Sequence, residues 1–306
     1  MDHRRGAGDA FVRLTEMTDR FYGNTLYFAR SPFETARSVA WGLPWDCTCS
    51  YRCGARFGPA AIREAFEAVE TFSPYFLRDL EQVPVYDAGN LELPFGDTEE
   101  TLKLVRRQAG RLAPAGKMLV TIGGEHLLSY PVIEYYHELY GDKLHVLHLD
   151  AHCDLRSEYL GARFSHATVA HLVTELVGAE NISHFFLRSG SQQEWRSLSE
   201  HPHNHFVAFG GGRRTEETED LGYLEGKKLY LSIDIDVFDP SLVPATSVPD
   251  AGGIFFDDFF RFLKLIEPYD IVGFDLMELA PENGRCASAI TAAKILRETL
   301  LMAMQK

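Results

Sequence analysis

No apolar run in this sequence approaches the roughly 20 residues that a membrane-spanning helix needs. Residues 1–20 are polar and carry acids among their basic residues, so the apolar stretch of a signal peptide is missing as well. A cytoplasmic location is therefore expected, and no membrane partner is expected.

Basic residues are scarce relative to acidic ones. The chain of 306 residues carries 30 Lys and Arg against 44 Asp and Glu, a formal net charge of −14. Phosphates would be repelled over most of such a surface, so nucleic acid is not an expected partner. A small cation, in contrast, would be attracted.

Cysteine is also sparse, with five residues, an odd number. This count argues against a disulfide framework and predicts reduced thiols. Cys47, Cys49 and Cys53 lie close together, and such a cluster could bind a metal or respond to oxidation. Reduced loop thiols are the simpler interpretation.

Strand-like apolar runs alternate along the chain with longer amphipathic runs, and this alternation indicates the fold class. It predicts one three-layer α/β/α domain with a mainly parallel sheet. We expect that domain to span residues 38–306, with residues 1–37 as an N-terminal extension packed on it. The predicted strands are 38–44, 118–124, 143–150, 182–189, 227–236 and 270–279. The predicted helices are 59–72, 101–112, 129–141, 166–178, 255–267 and 287–306.

Two of the predicted strands end in closely spaced acids. Asp150, His152 and Asp154 alternate after an apolar run, and alternate residues of an extended segment share one face. Asp234 and Asp236 repeat the pattern. Taken singly, each pattern also fits a solvated loop or a strand cap. Two carboxylates in an apolar strand, however, repel each other unless a cation lies between them.

Two further strands end in candidate site residues, His126 in GGEH (123–126) and Glu278 in DLMEL (275–279). Ligands bind at the carboxyl ends of parallel strands, so the four ends are predicted to converge at one edge. The resulting oxygen-rich set suits two Mn²⁺ ions better than Zn²⁺. Its members are His126, Asp150, His152, Asp154, Asp234 and Asp236.

The four motifs GGEH, DAHCD (150–154), SIDIDVFDP (232–240) and DLMEL resemble those of the ureohydrolases, the family of arginase and agmatinase. The resemblance implies an arginase-like α/β fold, two Mn²⁺ ions per subunit, and a homo-oligomer, either a trimer or a hexamer. One ion would be held by His126, Asp150, Asp154 and Asp234, and the other by His152, Asp150, Asp234 and Asp236. Two positions depart from the usual family motifs. Position 125 is Glu where Asp is more common, and position 153 is Cys where Thr or Ser is more common.

The resemblance also implies a mechanism in which a metal-bridging hydroxide attacks a guanidinium group. Glu278 would pair with that guanidinium, because carboxylate–guanidinium pairing is directional. Asp154 would accept and pass on the proton of the hydroxide. His166, which by itself is a plausible helix-start residue, would be the proton shuttle, since imidazole titrates near neutrality.

The stretch LRSEYLGARFS (155–165) resembles the agmatinase branch rather than the arginase branch, whose loop is rich in Asn, Ser and Thr. The expected reaction is hydrolysis of agmatine to putrescine and urea, a step of polyamine biosynthesis. Guanidinobutyrate, arginine or aminopropylagmatine are alternative substrates. A two-metal phosphoesterase and a non-catalytic, metal-stabilised binding protein are the rival classes.

Overall fold

The computed structural model describes residues 20–114, 116–200, 204–205, 221–282 and 285–305. Residues 1–19 of the predicted N-terminal extension lie outside these ranges. The strands are β1 Phe21–Tyr22, β2 Ser38–Leu43, β3 Phe72–Ser73, β4 Arg78–Asp79, β5 Val85–Leu91, β6 Met118–Gly123, β7 Leu144–Leu149, β8 Ile182–Phe185, β9 Asn204–His205, β10 Lys228–Asp234 and β11 Asp270–Met277.

Helices follow most of the longer strands, as the alternating sequence pattern predicted. They are α1 Gly58–Phe66, α2 Thr98–Leu112, α3 Ser129–Tyr140, α4 Val169–Val177, α5 Gln192–Leu198, α6 Phe256–Ile266 and α7 Ala287–Ala303. In the described part of the chain, no helix combines the length and apolar composition that crossing a membrane requires.

One sheet of nine strands organises the described residues, in the order β1-β5-β2-β6-β11-β10-β7-β8-β9. Only β1 runs antiparallel to its neighbour in this sheet, and the other pairings are parallel. The predicted mainly parallel sheet is therefore confirmed. A separate hairpin pairs β3 with β4.

Helices cover both faces of the sheet, which gives the three predicted layers. One apolar core packs α1, α6 and α7 against one face, and a second core packs α2, α3 and α4 against the other. In β10, Leu231 and Ile233 belong to the first core and Tyr230 to the second. This alternation is what a parallel strand buried on both faces requires.

Two local predictions were wrong. The helix expected over 59–72 ends at Phe66, because Phe72 pairs with Asp79 in the β3–β4 hairpin instead. Strand β5 was not predicted, and its Asp87, Gly89 and Asn90 are residue types that strands usually lack.

A buried ion pair connects β5 to α1. The Arg63 guanidinium on α1 reaches both oxygens of Asp87, with Nε–Oδ2 at 2.8 Å and Nη2–Oδ1 at 2.9 Å. It also binds the Asn90 side chain and the Gly89 carbonyl. The side chains of Arg63 and Asp87 are 2% and 0% exposed. Each neutralises the charge of the other, and either charge left buried without its partner would destabilise the fold.

We expect Arg63→Ala to destabilise the protein by about 3–5 kcal/mol, because the Asp87 charge stays buried without its partner. The matched control is Arg106→Ala, whose ion pair with Glu138 lies at the surface and is screened by solvent. That control should change the free energy of unfolding by less than about 0.5 kcal/mol. Urea denaturation measures both, and equal effects of the two substitutions would contradict this account of β5.

Candidate active site

The four strands whose ends carry the predicted site residues are neighbours in the sheet, in the order β6-β11-β10-β7. Their carboxyl ends therefore meet at one edge, as the sequence predicted. A cavity of about 340 Å³ opens there. Its lining includes His126, His152, Asp154, His166, Asp234, Asp236 and Glu278.

The same type of local turn follows each of the two strands that carry the alternating acids. Asp150 Oδ1 accepts a hydrogen bond from the backbone N–H of His152 at 2.6 Å, and Asp234 Oδ1 accepts one from Asp236 at 2.8 Å. An Asp that bonds the amide two residues on forms an Asx turn, which stops the strand. Each carboxylate thus commits one oxygen to the backbone and leaves the second for the centre of the site.

Two glycines let His126 approach these carboxylates. A Cβ at Gly124 would lie 2.2 Å from the carbonyl oxygen of Trp45, and a Cβ at Gly123 would lie 2.1 Å from Met277 Sδ. The contact at Gly124 is with backbone, which cannot move aside, so a side chain is excluded there. This close packing brings the backbone N–H of His126 to 2.7 Å from Glu278 Oε1.

Ser232 and Asp275 orient the imidazole of His126 from its Nε2 side. Its Nε2 lies 3.0 Å from Ser232 Oγ, which donates to Asp275 Oδ1 at 2.9 Å. Its Nδ1 faces the free oxygens of Asp150 and Asp234, at 3.1 and 3.2 Å. Such support of the far nitrogen is typical of metal-binding histidines.

Three buried atoms at this point have no hydrogen-bond partner in the described structure: His126 Nδ1, His148 Nε2 and Asp150 Oδ2. Buried polar atoms are rarely left unsatisfied, so this group calls for another ligand. An imidazole nitrogen and a carboxylate oxygen converging on one point are suitable donors for a divalent cation. The residues present therefore fit a metal ion.

The candidate ligands form two groups that share Asp150. One contains His126, His148, Asp150 and Asp154, and the other contains Asp150, His152 and Asp236, with donor atoms within 4.8 Å of one another in each group. His152 Nδ1 lies 2.8 Å from Asp236 Oδ2. Asp234, predicted as a shared ligand, lies beside His126. All six predicted ligands are thus brought together.

His148 is a site residue that the sequence reasoning missed. Its Nε2 lies 3.1 Å from Asp150 Oδ2, its Nδ1 lies 3.1 Å from Nδ1 of His184, and its ring stacks on His126. The signal was available, because His148 stands two residues before Asp150 and shares its face of β7.

Burial and mutual repulsion govern ionisation in this cluster. Burial and the Asp150 charge raise the pKa of Asp154 well above its ordinary value. The pKa of Asp234 is also raised well above its ordinary value, first by burial and then by the charges of Asp236 and Asp150. Burial alone would lower the pKa of His126, but the adjacent carboxylates of Asp150 and Asp234 raise it. Metal binding would displace the protons that these groups hold.

Asp154 and Glu278 occupy strained backbone conformations, with φ of 50° and 64°. Residues with side chains rarely adopt such angles, and those that do cluster at functional sites. Glu278 is 5% exposed, and burial raises its pKa to about 7. Glu278 lines the same cavity as most of the metal-ligand candidates.

His166 lies in the cavity wall at the start of α4. A short 3-10 turn, His166–Thr168, precedes the helix, and Ser165 and Thr168 form a capping box around it. Burial lowers the pKa of His166, which keeps the ring neutral near neutral pH. The predicted proton shuttle thus borders the same cavity as five of the predicted metal ligands.

The expectation of reduced loop thiols is wrong for Cys49 and Cys53, which form a disulfide in the structure. Their loop brings the two Cα atoms to 5.6 Å, inside the range a disulfide needs. Cys47 is free and exposed. Cys153 is free and buried beside Gly190, away from solvent.

Comparison with known proteins agrees with these features. The arginase family model matches residues 36–302. The agmatinase of Bacillus anthracis is 38% identical over 287 residues, covering 92% of this chain and 98% of the relative. An N(1)-aminopropylagmatine ureohydrolase of Thermococcus kodakarensis is 35% identical, covering 86% and 89%.

Solved structures show the same fold. A crystal structure of a candidate agmatinase from Clostridium difficile matches with a TM-score of 0.83 and 36% identity, covering 89% of this chain and 98% of the other. The family match contains all the site residues described above and every described strand except β1. This chain belongs to the arginase family.

Proposed function

We propose that this protein hydrolyses the guanidino group of agmatine to give putrescine and urea, with two Mn²⁺ ions bound. The observation that carries the proposal is the pair of ligand groups that share Asp150. His126, His152, Asp154 and Asp236 of these groups line the cavity. The similarity to curated agmatinases over most of the chain supports the substrate.

The predicted ligand set supports manganese. His126, Asp150, Asp154 and Asp234 would hold one ion, with His148 close to the same group. His152 and Asp236 would hold the other together with the shared carboxylates. Carboxylate-rich sites suit Mn²⁺, whereas structural Zn²⁺ favours thiolates. When bound, two dications would lower the pKa of a water molecule and so supply a nucleophile at neutral pH.

Glu278 would bind the substrate guanidinium. One of its oxygens is committed to the backbone N–H of His126, so the carboxylate is fixed relative to that ligand. A guanidinium paired with it is consequently held over the metal-ligand cluster. Holding the reacting groups in one geometry is a large part of such catalysis.

Asp154 and His166 would handle the protons. Asp154 accepts a proton readily because burial raises its pKa, and it lies at the edge of the cluster, 9% exposed. His166 is neutral near neutral pH and borders the same cavity, so it can receive a proton and give it to the departing amine.

The charge of the cavity supports a cationic substrate. Apart from histidines, Arg156 is the cationic side chain among the described lining residues, and its Nε lies 3.5 Å from Glu194 Oε2. A phosphate-cleaving enzyme would need several unpaired cations there, so the phosphoesterase alternative is disfavoured. Intact Glu278 and His166 positions disfavour a non-catalytic binding protein. A trimeric or hexameric assembly and a cytoplasmic location stay predictions of the sequence.

We expect the Mn²⁺-loaded protein to release urea from agmatine with a higher kcat/KM than from arginine, guanidinobutyrate or aminopropylagmatine. Residues 155–165 lack the Asn-rich loop that would bind a substrate carboxylate, and the protein is strongly acidic, which disfavours arginine and guanidinobutyrate. The similarity to curated agmatinases favours agmatine over aminopropylagmatine. A urea-release assay across the four compounds measures the ranking. A higher kcat/KM for aminopropylagmatine would show that this compound, rather than agmatine, is the substrate. Absence of urea release from all four compounds would refute the proposed reaction.

Glu278→Gln and Asp150→Ala separate substrate binding from metal binding. We expect Glu278→Gln to keep the wild-type metal content and to lose kcat/KM by about tenfold to a hundredfold, the equivalent of a charge-assisted pair. We expect Asp150→Ala to lose metal as well as activity, because one carboxylate serves both ligand groups. Elemental analysis and kinetics on the same samples test this division, and metal loss in Glu278→Gln would overturn it.

A further inference from the structure

One cysteine cluster takes no part in the proposed reaction, although it lies next to the cavity. Cys49 and Cys53 form a disulfide in the loop between β2 and the 3-10 turn Ala55–Phe57, and Cys47 in the same loop is a free thiol. Cys53 is exposed and Cys49 is half-buried, so a thiol in solvent can approach the bond from the Cys53 side. Exposed disulfides are the readily reduced ones, whereas structural disulfides resist reduction.

The disulfide closes a short ring of the chain, with Ser50, Tyr51 and Arg52 between its two cysteines. When a disulfide constrains the unfolded chain, the stabilisation that it gives grows with the length of the loop it closes. The sequence separation here is only four, so this contribution to global stability is small. The main effect of the bond is therefore local, on the position of the three enclosed residues.

The enclosed residues contact two parts of the cavity wall that are far apart in the sequence. Ser50 lines the cavity, and its Oγ lies 3.2 Å from Nε2 of His166. The backbone N–H of Arg52 donates to the carbonyl of Ser247 at 3.3 Å, and Ser247 lines the cavity too. The Arg52 side chain donates through Nη1 to the carbonyl of Pro244 at 3.2 Å. The enclosed segment thus connects the wall at His166 to the wall at Ser247.

The residues that flank the disulfide are held by other bonds. The carboxylate of Asp46, 2% exposed, accepts hydrogen bonds from the backbone N–H groups of Gly54 at 2.7 Å and Arg56 at 3.3 Å, and from the Arg56 guanidinium. The backbone N–H of Thr48 donates to Glu125 Oε2 at 2.8 Å. Opening the disulfide would therefore release the enclosed segment while these flanking anchors, the sheet and the metal-ligand candidates stay in place.

We propose that the Cys49–Cys53 disulfide is a reversible redox site, at which a dithiol reductant releases the segment Ser50–Arg52 and so lowers activity in the adjoining cavity. One thiolate of the reductant attacks Cys53 Sγ, the S–S bond breaks, and Cys49 leaves as a thiolate that takes up a proton. The second thiol of the reductant then displaces Cys53, which leaves as a thiol. Two electrons and two protons thus pass from the dithiol, which becomes a disulfide, to the two cysteines. A disulfide oxidant reverses the exchange. The effect on activity rests on the proposed function, whereas the release of the segment does not.

The first test does not depend on activity. The full chain is treated with excess dithiothreitol, freed of it by gel filtration without oxygen, supplied again with Mn²⁺, and compared with the untreated protein. We expect thiol counting to find two additional thiols per chain, at Cys49 and Cys53. Hydrogen-exchange mass spectrometry should show faster amide exchange over residues 49–53 and unchanged exchange in α1, because the release is local. No gain of thiols, or an unchanged rate over residues 49–53, would overturn the inference.

The second test measures urea release from agmatine before reduction, after reduction, and after reoxidation with oxidised glutathione. We expect reduction to lower kcat/KM by about threefold to tenfold, comparable to the loss of one hydrogen bond, and reoxidation to restore it. The double variant Cys49→Ser/Cys53→Ser should have the activity of the reduced wild type and should not respond to the reductant. Equal kcat/KM for the oxidised and the reduced wild type would refute the effect on the cavity.

Two free cysteines provide matched controls. Cys47→Ser removes the exposed thiol of the same loop, and Cys286→Ser removes a half-buried thiol just before α7. Both variants should respond to reduction as the wild type does, and loss of the response in either would show that Cys49 and Cys53 are not the reactive pair. Absence of urea release in every redox state would instead refute the proposed function, and thiol counting with hydrogen exchange would still decide whether the disulfide holds the segment.

Discussion

Repulsion between buried carboxylates is the constraint on which the rest of this structure depends. Asp150, Asp154, Asp234 and Asp236 are each at most 9% exposed and lie at two adjacent strand ends. Such a group of like charges is stable only when protons or cations neutralise it. Two dications would satisfy that requirement and would also supply the reactivity of a hydrolase, so the same residues would serve stability and function.

The fold meets this constraint by fixing three of these four carboxylates through the backbone. Asx turns bind one oxygen of Asp150 and Asp234, and the backbone N–H of Ala151 donates to Asp236 at 3.1 Å. The second oxygens of Asp150 and Asp234 face His126 Nδ1 at the centre of the site. The parallel sheet contributes the rest, because its order places β10 and β7 side by side.

The sequence was sufficient to predict the fold class and the convergence of the ligand candidates, because period-two acids at strand ends report directly on side-chain direction. It was insufficient where a partner comes from far along the chain. Asp87 of β5 pairs with Arg63 on α1, and the backbone N–H of His166 donates to Thr48, 118 residues away. The pairing of Cys49 with Cys53 was missed because composition alone does not report loop geometry.

The central claim is that two cations share Asp150, one on the His126 side and one on the His152 side. The most direct measurement is an anomalous difference map from crystals of the Mn²⁺-loaded protein, recorded at the manganese absorption edge. The account predicts two peaks flanking Asp150 in the cavity. A single peak, or a peak beside Cys47 rather than at the strand ends, would contradict it.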